Sequence, residues 1–314
     1  MKSVILGKVM GALAVVFVLT ILIFVIVRML PGDAVTVMLG GEGTPEQAAA
    51  LRAKYNLDQP LPIQYLTWLS SVIQGDWGTS LSSHAPVMPL VLERLPRTLL
   101  LCLVSTVLAL FSAIFLGVVS AARHNSNLDL GISVGSLVLL SVPEFWMGVL
   151  LMLFFAVIFP ILPARGYVRP EVHFGKFLVS MILPVATLTI SSMPPMIRLV
   201  RSSMLEVLGE EYITLARTKG NSPFRVYFAH ALRNSLIPIA TTVSLLVTSL
   251  MAGVIVIEKV FQFPGIGLLL LNSITARDYP TIQACLLLFS IIVVVINMLT
   301  DIVYAVIDPR IRFS

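Results

Sequence analysis

The 314-residue sequence predicts an all-α membrane protein with six transmembrane helices, and two observations carry that expectation. Only 12% of the residues are charged, against about 25% in soluble domains, while 57% are hydrophobic and the mean hydropathy is +0.97. The charges are also segregated: five runs close to 20 residues long hold no Lys, Arg, Asp or Glu, and a sixth holds one. A helix needs roughly 20 apolar residues to cross the hydrocarbon core, whereas barrel strands are shorter and alternate in polarity. This composition excludes a cytosolic enzyme and a disordered chain. The net charge of +5 arises from short basic clusters between apolar runs, not from one basic stripe, which excludes a nucleic-acid binder. Cys102 and Cys285 lie inside apolar runs and read as small hydrophobes, so no disulfide or metal framework follows from them.

The first run, Val9–Val27, is longer than the apolar part of a secretory signal and ends at Arg28-Met29-Leu30-Pro31 instead of a small-residue cleavage site, so it reads as a retained helix within residues 1–30. Residues 31–98 form an outer segment. Within it, Thr44-Pro45-Glu46-Gln47 supplies an N-cap, a proline at the first helical position and a capping-box partner, which predicts a helix to about Tyr55. A second helix is expected from Pro62 to Gln74, stopped by Gly75, and Asp76-Trp77-Gly78-Thr79-Ser80 reads as an ordered turn. This helical insertion suits either a cap on the outer membrane surface or a docking surface for an extracytoplasmic partner.

Residues 99–314 hold the remaining five spans. The second is Leu99–Ala122. The third, Leu130–Phe159, would be about 45 Å long as one helix, too long for a core roughly 30 Å thick. A break is therefore expected at Pro143, with Ser141-Val142-Pro143-Glu144 as a capping box that starts the second half. Phe177–Ile197 follows, with kinks expected at Pro184, Pro194 and Pro195, then Ser235–Ile257 and Pro280–Thr300. With the N-terminus inside, 11 Lys and Arg face the cytoplasm and six lie on short outer segments, so the positive-inside rule places both termini in the cytoplasm.

The inner segment 198–234 carries 9 of the chain's charges, six basic and three acidic. A helix is expected from Met204 to Lys219, ended by Gly220 in the left-handed C′ conformation, with Asn221 continuing the turn. Ser222 then caps a second helix with Pro223 at its first position, leading through His230, Arg233 and Asn234 into the fifth span. A helix–turn–helix of fixed shape between two spans suits a moving cytosolic partner; the alternative is a solvated basic loop that only sets topology.

Glu144 is the one acid well inside a span. It either caps the broken third helix or faces a pathway, where it could meet an amine or a cation. Thr187 and Ser191 in the fourth span, and Thr248 and Ser249 in the fifth, either line a passage or hydrogen-bond between helices. His84, His124, His173 and His230 show no ligand spacing, so no built-in metal site is expected.

Glu211-Tyr212-Ile213-Thr214-Leu215-Ala216-Arg217-Thr218-Lys219-Gly220, followed by His230-Ala231-Leu232-Arg233-Asn234, resembles the coupling loop of ABC-importer permeases in the dipeptide, oligopeptide and nickel branch. Against the general form of that loop (Glu-Ala-Ala, three residues, Gly, nine residues, Ile, one residue, Leu-Pro), Ala216, Gly220 and Leu232 match. Thr214, Leu215, His230 and Arg233 follow the branch's own variant. Leu30-Pro31-Gly32-Asp33, Leu57-Asp58-Gln59-Pro60, Gly75-Asp76-Trp77-Gly78-Thr79-Ser80, Ser141-Val142-Pro143-Glu144-Phe145-Trp146, Phe263-Pro264-Gly265-Ile266-Gly267, Arg277-Asp278-Tyr279-Pro280 and Asp308-Pro309-Arg310-Ile311-Arg312 look like the same branch.

The resemblance implies a type I ABC-importer permease fold in a bacterial inner membrane. It also implies a homologous second permease, two cytosolic ABC ATPase subunits and a periplasmic or extracellular substrate-binding protein as partners. The chain would form half of a translocation pathway for short peptides, with nickel or a metal chelate as the alternative cargo. By the same resemblance, Gly220, Asn221, Ser222, Pro223, Phe224 and Arg225 contact the ATPase. Ala216 packs the first helix of the loop, Glu211 is the first residue of the motif and belongs to the coupling set, and Arg217 and Lys219 face the nucleotide-binding subunit. The chain has no Gly-x-x-x-x-Gly-Lys-[Ser/Thr] loop, so no cofactor is expected on it, and ATP and Mg belong to the partners. A stand-alone secondary transporter would be expected to show internal repeats and charged relays within the spans, where only Glu144 is available; a membrane hydrolase would need a nucleophile and base or a metal pair such as His-Glu-x-x-His, and neither is present.

Overall fold

The computed structural model describes residues 2–29, 44–54 and 58–307. Leu30-Pro31-Gly32-Asp33, the helix end at Tyr55, Leu57 and the motif Asp308–Arg312 lie outside the described residues. In chain order the helices are α1 (Lys2–Met29), α2 (Pro45–Lys54), α3 (Leu61–Ile73), α4 (Val87–Ala122), α5 (Asn127–Ser141) and α6 (Glu144–Met152). They continue with α7 (Phe174–Leu208), α8 (Glu211–Thr218), α9 (Leu232–Phe261), α10 (Ile266–Ala276) and α11 (Tyr279–Ile307). Single π-helical stretches occupy Leu153–Ile158, after α6, and Arg225–Ala231, before α9. Among the described residues, five helices are long and apolar enough to cross a membrane. The pair α5 and α6, bent by 101° at residues 142–143, makes a sixth when taken as one span.

The chain divides into two compact units, Met1–Thr98 with Pro264–Val295 and Leu99–Phe263 with Ile296–Ser314. In the first unit α2 starts as expected: the Thr44 N–H donates to Gln47 Oε1 at 3.0 Å and the Gln47 N–H to Thr44 Oγ1 at 3.3 Å, a reciprocal capping box. α3 lies along α1. Its Tyr65 hydroxyl meets Thr20 Oγ1 at 2.9 Å, and Phe24 packs against Tyr65 and Trp68 with centroids 5.5 and 5.9 Å away. Thr20 sits about 14 Å of helix inside Met29 at 1.5 Å per residue. α3 therefore runs beside the span, and no charged residue occurs between Asp58 and Asp76.

The same unit is closed at Asp278, which is 1% exposed. Its carboxylate accepts from the hydroxyls of Ser80, Ser82 and Thr281 and from the Leu81 N–H at 3.0 Å. Gly78, at φ +81°, lets the turn pass Pro280; a Cβ there would touch the proline ring at 3.5 Å. Between the apolar runs Ser235–Ile257 and Pro280–Thr300 the structure places a further helix, α10, with Ile266, Leu268, Leu269 and Leu270 buried. Thr98 Oγ1 accepts from the Ile266 N–H at 2.9 Å, and Arg97 donates to Pro264 O at 3.2 Å.

In the second unit α7 is the central helix, packed by α5, α6 and α9 and burying Leu188, Met196, Val200 and Met204. It runs as one helix through Pro184, Pro194 and Pro195. Close approach depends on glycines: a Cβ at Gly117 would lie 2.6 Å from Val200 Cβ, and one at Gly148 would lie 3.3 Å from both Phe261 and Thr187. The break in the third span occurs where expected, but the capping box does not form. Ser141 remains in the last turn of α5 and donates to Leu137 O at 2.9 Å, while Pro143, at φ −58° and ψ 138°, takes the N-cap position without a side-chain bond.

Replacing Asp278 by Ala leaves three hydroxyls and one amide without their acceptor. The expected cost is roughly 3 kcal/mol, read as a lower Tm of the purified protein and faster proteolysis between residues 76 and 86.

Candidate functional site

The segment that the charge pattern assigns to the cytoplasm is built on the ends of α7 and α9. α7 continues past its apolar stretch to Leu208, where the Gly209 N–H closes on Glu206 O at 3.1 Å. Glu210 then turns extended, at φ −72° and ψ 147°, and starts α8. The single helix expected over Met204–Lys219 is thus two, because Gly209, a poor helix former, ends the first and Met204 belongs to the spanning helix. α8 buries Ile213 and Ala216, three residues apart on one face, and exposes Glu211, Tyr212, Leu215 and Arg217 on the other.

The turn after α8 matches its sequence reading. Gly220 has φ +79° and donates to Arg217 O at 3.0 Å. Asn221 adds a cap, since its Nδ2 donates to Ala216 O at 3.0 Å. Ser222 Oγ accepts from the Arg225 N–H at 3.4 Å, as an N-cap does. The helix it starts is not separate. It opens into the π-helical stretch Arg225–Ala231 and merges with α9, so the turn is wired directly to the fifth span. Phe224 is 71% exposed, its ring stacked on Phe228 at 4.6 Å. Arg217, Lys219, Ser222, Pro223 and Arg225 are also exposed, so an apolar ring and three cations are presented within nine consecutive residues. An aromatic anchor with neighbouring arginines is the composition that dominates protein interfaces. Tyr212 and Asn234, residues of the two halves of the sequence motif, bind each other: Asn234 Nδ2 donates to the Tyr212 hydroxyl at 2.8 Å and to His230 O at 3.0 Å.

The intramembrane candidates are held differently. Glu144 is half-buried in the first turn of α6, and its carboxylate fills the space that a side chain at Gly253 of α9 would need. Thr187 is fully buried and donates to Leu183 O at 2.8 Å within its own helix. Ser191 Oγ is buried and has no hydrogen-bond partner among the described residues. Thr248 and Ser244 both donate to Asn297 Oδ1, at 3.5 and 3.0 Å, and Ser249 is exposed.

One cluster escaped sequence reasoning. Asp129, in the first turn of α5, is 4% exposed and accepts two bonds from Arg201 of α7, from Nε to Oδ1 at 2.7 Å and from Nη2 to Oδ2 at 2.8 Å. The Ser120 hydroxyl of α4 and the Asn125 N–H, at 3.1 Å, complete the carboxylate's shell, and His124 Nδ1 lies 3.2 Å from Arg201 Nη2. The only signal in the sequence is opposite charge at the ends of two apolar runs, which does not specify a pairing.

The architecture is that of a multi-span membrane permease: long spans with a shaped, exposed element on the extensions of two of them. Residues 113–313 match the family described as binding-protein-dependent transport system inner membrane component, and residues 1–102 match its N-terminal region. The chain belongs to this family and is a multi-pass inner-membrane protein. It is 39% identical over the whole of both chains to the oligopeptide transport system permease protein AppB of Bacillus subtilis. It is 37% identical to the protein named "Probable peptide ABC transporter permease protein y4tP" of Sinorhizobium fredii, over 98% of this chain and 99% of that one.

Removing the hydroxyl in Tyr212→Phe or the amide in Asn234→Ala is expected to cost about 0.5–1 kcal/mol each. A double-mutant cycle on the thermal stability of the purified protein should show the two losses to be non-additive.

Proposed function

We propose that this chain is the permease subunit of an ATP-driven importer of short peptides. It forms half of the translocation pathway with a homologous second permease and receives motion from two cytosolic ABC ATPase subunits through residues 198–234. A substrate-binding protein delivers the cargo on the other face. The observation that carries this reading is the exposed turn Gly220–Arg225, rigidly capped on both sides and continuous with α9. Such an element transmits a push, which a floppy tether would absorb. The peptide class is supported by the names of the relatives. ATP and Mg act on the partner subunits, and the chain binds neither. Both termini are cytoplasmic in this reading, as the distribution of Lys and Arg supports.

The docking surface uses Phe224 as its apolar anchor and Arg217, Lys219 and Arg225 as its rim, with Ala216 and Ile213 holding α8 in place beneath. Phe224→Ala combined with Arg225→Glu leaves the caps and the buried face untouched. It is expected to lower retention of the ATPase subunits during purification by about tenfold or more, with membrane insertion unchanged. Unaltered copurification, or peptide uptake by this chain alone in liposomes, contradicts the reading.

Glu144 is proposed to face the pathway, where its carboxylate meets the amino terminus of a passing peptide, with Ser191, Thr248 and Ser249 as further polar groups along it and Thr187 in the wall behind. Glu144→Gln keeps the shape beside Gly253 and removes the charge. Uptake of labelled trialanine by the intact complex should fall about tenfold or more, the scale of one charged hydrogen bond. Uptake at the normal rate and affinity rejects that role.

A further inference from the structure

The Asp129–Arg201 pair lies outside the docking turn and outside the intramembrane candidates, yet its position is informative. Arg201 and Ser203 are two residues apart on α7, about 200° around a helix with 3.6 residues per turn, so they face nearly opposite ways. On the Ser203 side stands the start of α9, which is continuous with the docking turn Gly220–Arg225. Ser235 of α9 is fully buried, and its one hydroxyl proton is shared between Ala231 O at 3.0 Å and Ser203 O at 3.3 Å, with Met204 buried beside it. On the Arg201 side stands the corner where α4 turns into α5. Ser120 supplies the end of α4, Asn125, at φ +61°, shapes the turn, and Asp129 supplies the first turn of α5.

From this geometry we infer that Asp129 and Arg201 form a positioning clamp. The clamp makes the α4–α5 corner move with the end of α7 when the coupling element is displaced. The inference rests on the reading of residues 198–234 as the ATPase-coupling element. Two features suit the pair to this role. The guanidinium binds both carboxylate oxygens, which fixes direction as well as distance. The carboxylate accepts four bonds, from α4, from α7 and from the turn between α4 and α5, so no single rotamer change releases it. Apolar contact at the same place would allow the helices to slide. The third span, which carries the break at residues 142–143 and Glu144 beyond it, is thereby tied to the same lever as the fifth.

The test uses the complete complex, with its ATPase subunits and binding protein, in liposomes. Asp129→Asn, Arg201→Gln and the two together are compared for trialanine transported per ATP hydrolysed, and for the distance between spin labels at Leu128 and Leu205 with and without ATP. Each single change is expected to lower transport per ATP by about tenfold while basal hydrolysis persists, and to let the label distance vary through the cycle. The double change, whose neutral amides can bond to each other, should recover part of the ratio.

A ratio and label distance unchanged in assembled single variants overturn the clamp and leave the permease reading standing. A parallel loss of hydrolysis and transport at constant ratio also overturns it, because that is what a merely structural pair would give. If the wild-type complex shows no hydrolysis stimulated by its binding protein, the permease reading fails and the clamp with it.

Discussion

Hydrocarbon offers the backbone no hydrogen-bond partners, and this constraint shapes every element of the protein. It makes the spans helical, and it also governs where they are allowed to depart from a straight α-helix. At the sharp bend between α5 and α6 the freed groups are recaptured locally. Val142 N–H bonds to Leu139 O at 3.3 Å, and both Trp146 and Met147 bond to Pro143 O at 3.0 Å. The same economy holds at the ends of α9 and α10, where Gln262 and Arg277 adopt left-handed backbone at φ +52° and +55° and their amides return to the preceding turn. Irregular backbone here is closed on itself.

Where water returns at the ends of the spans, two buried carboxylates organise the chain. Asp278 gathers the turn 78–82 and the start of α11 in one unit, and Asp129 gathers α4, α5 and α7 in the other. Each is almost fully buried and each accepts four hydrogen bonds. They differ in the charge of the donors. Asp278 is surrounded by hydroxyls and an amide, a set that fixes a turn, whereas Asp129 holds a guanidinium on the helix that leads into the exposed segment beyond Gly209. A bond to a full cation is both stronger and more directional than one to a hydroxyl, so the second carboxylate fixes the orientation of the helix it holds as well as its distance.

Much of this architecture was legible from local rules, because those rules act over a few residues. The capping box of Thr44 and Gln47, the C′ role of Gly220, the N-cap at Ser222 and the break at Pro143 all follow from side-chain and backbone chemistry within one turn. The failures share a different cause. Ser141 satisfies itself within α5 once Pro143 takes extended geometry, so a box that is formally present in the sequence never closes. The separation of α7 from α8 falls at Gly209, a local signal, whereas α10 exists because four leucine and isoleucine side chains in its first turns are covered. Burial of that kind is tertiary. Periodicity over 11 residues cannot distinguish such a helix from an apolar loop.

The motifs that the sequence presents in series act in the structure as pairs. Ser80 meets Asp278 across 198 positions, Arg97 meets Pro264 across 167, and Tyr212 meets Asn234 across 22. Each pair joins two stretches singled out from the sequence, or one of them to the helix it packs on. Their residue types then have a physical reason: serine, aspartate, tyrosine and asparagine stand at these sites because a partner of matching polarity waits at the far end of another helix. Asp129 and Arg201 are a pair of the same kind without a conspicuous motif on either side, separated by 72 positions. A single sequence shows the members of such pairs but not the bond. In a chain whose spans are alike in apolar composition, those few polar bonds specify which helix ends are joined.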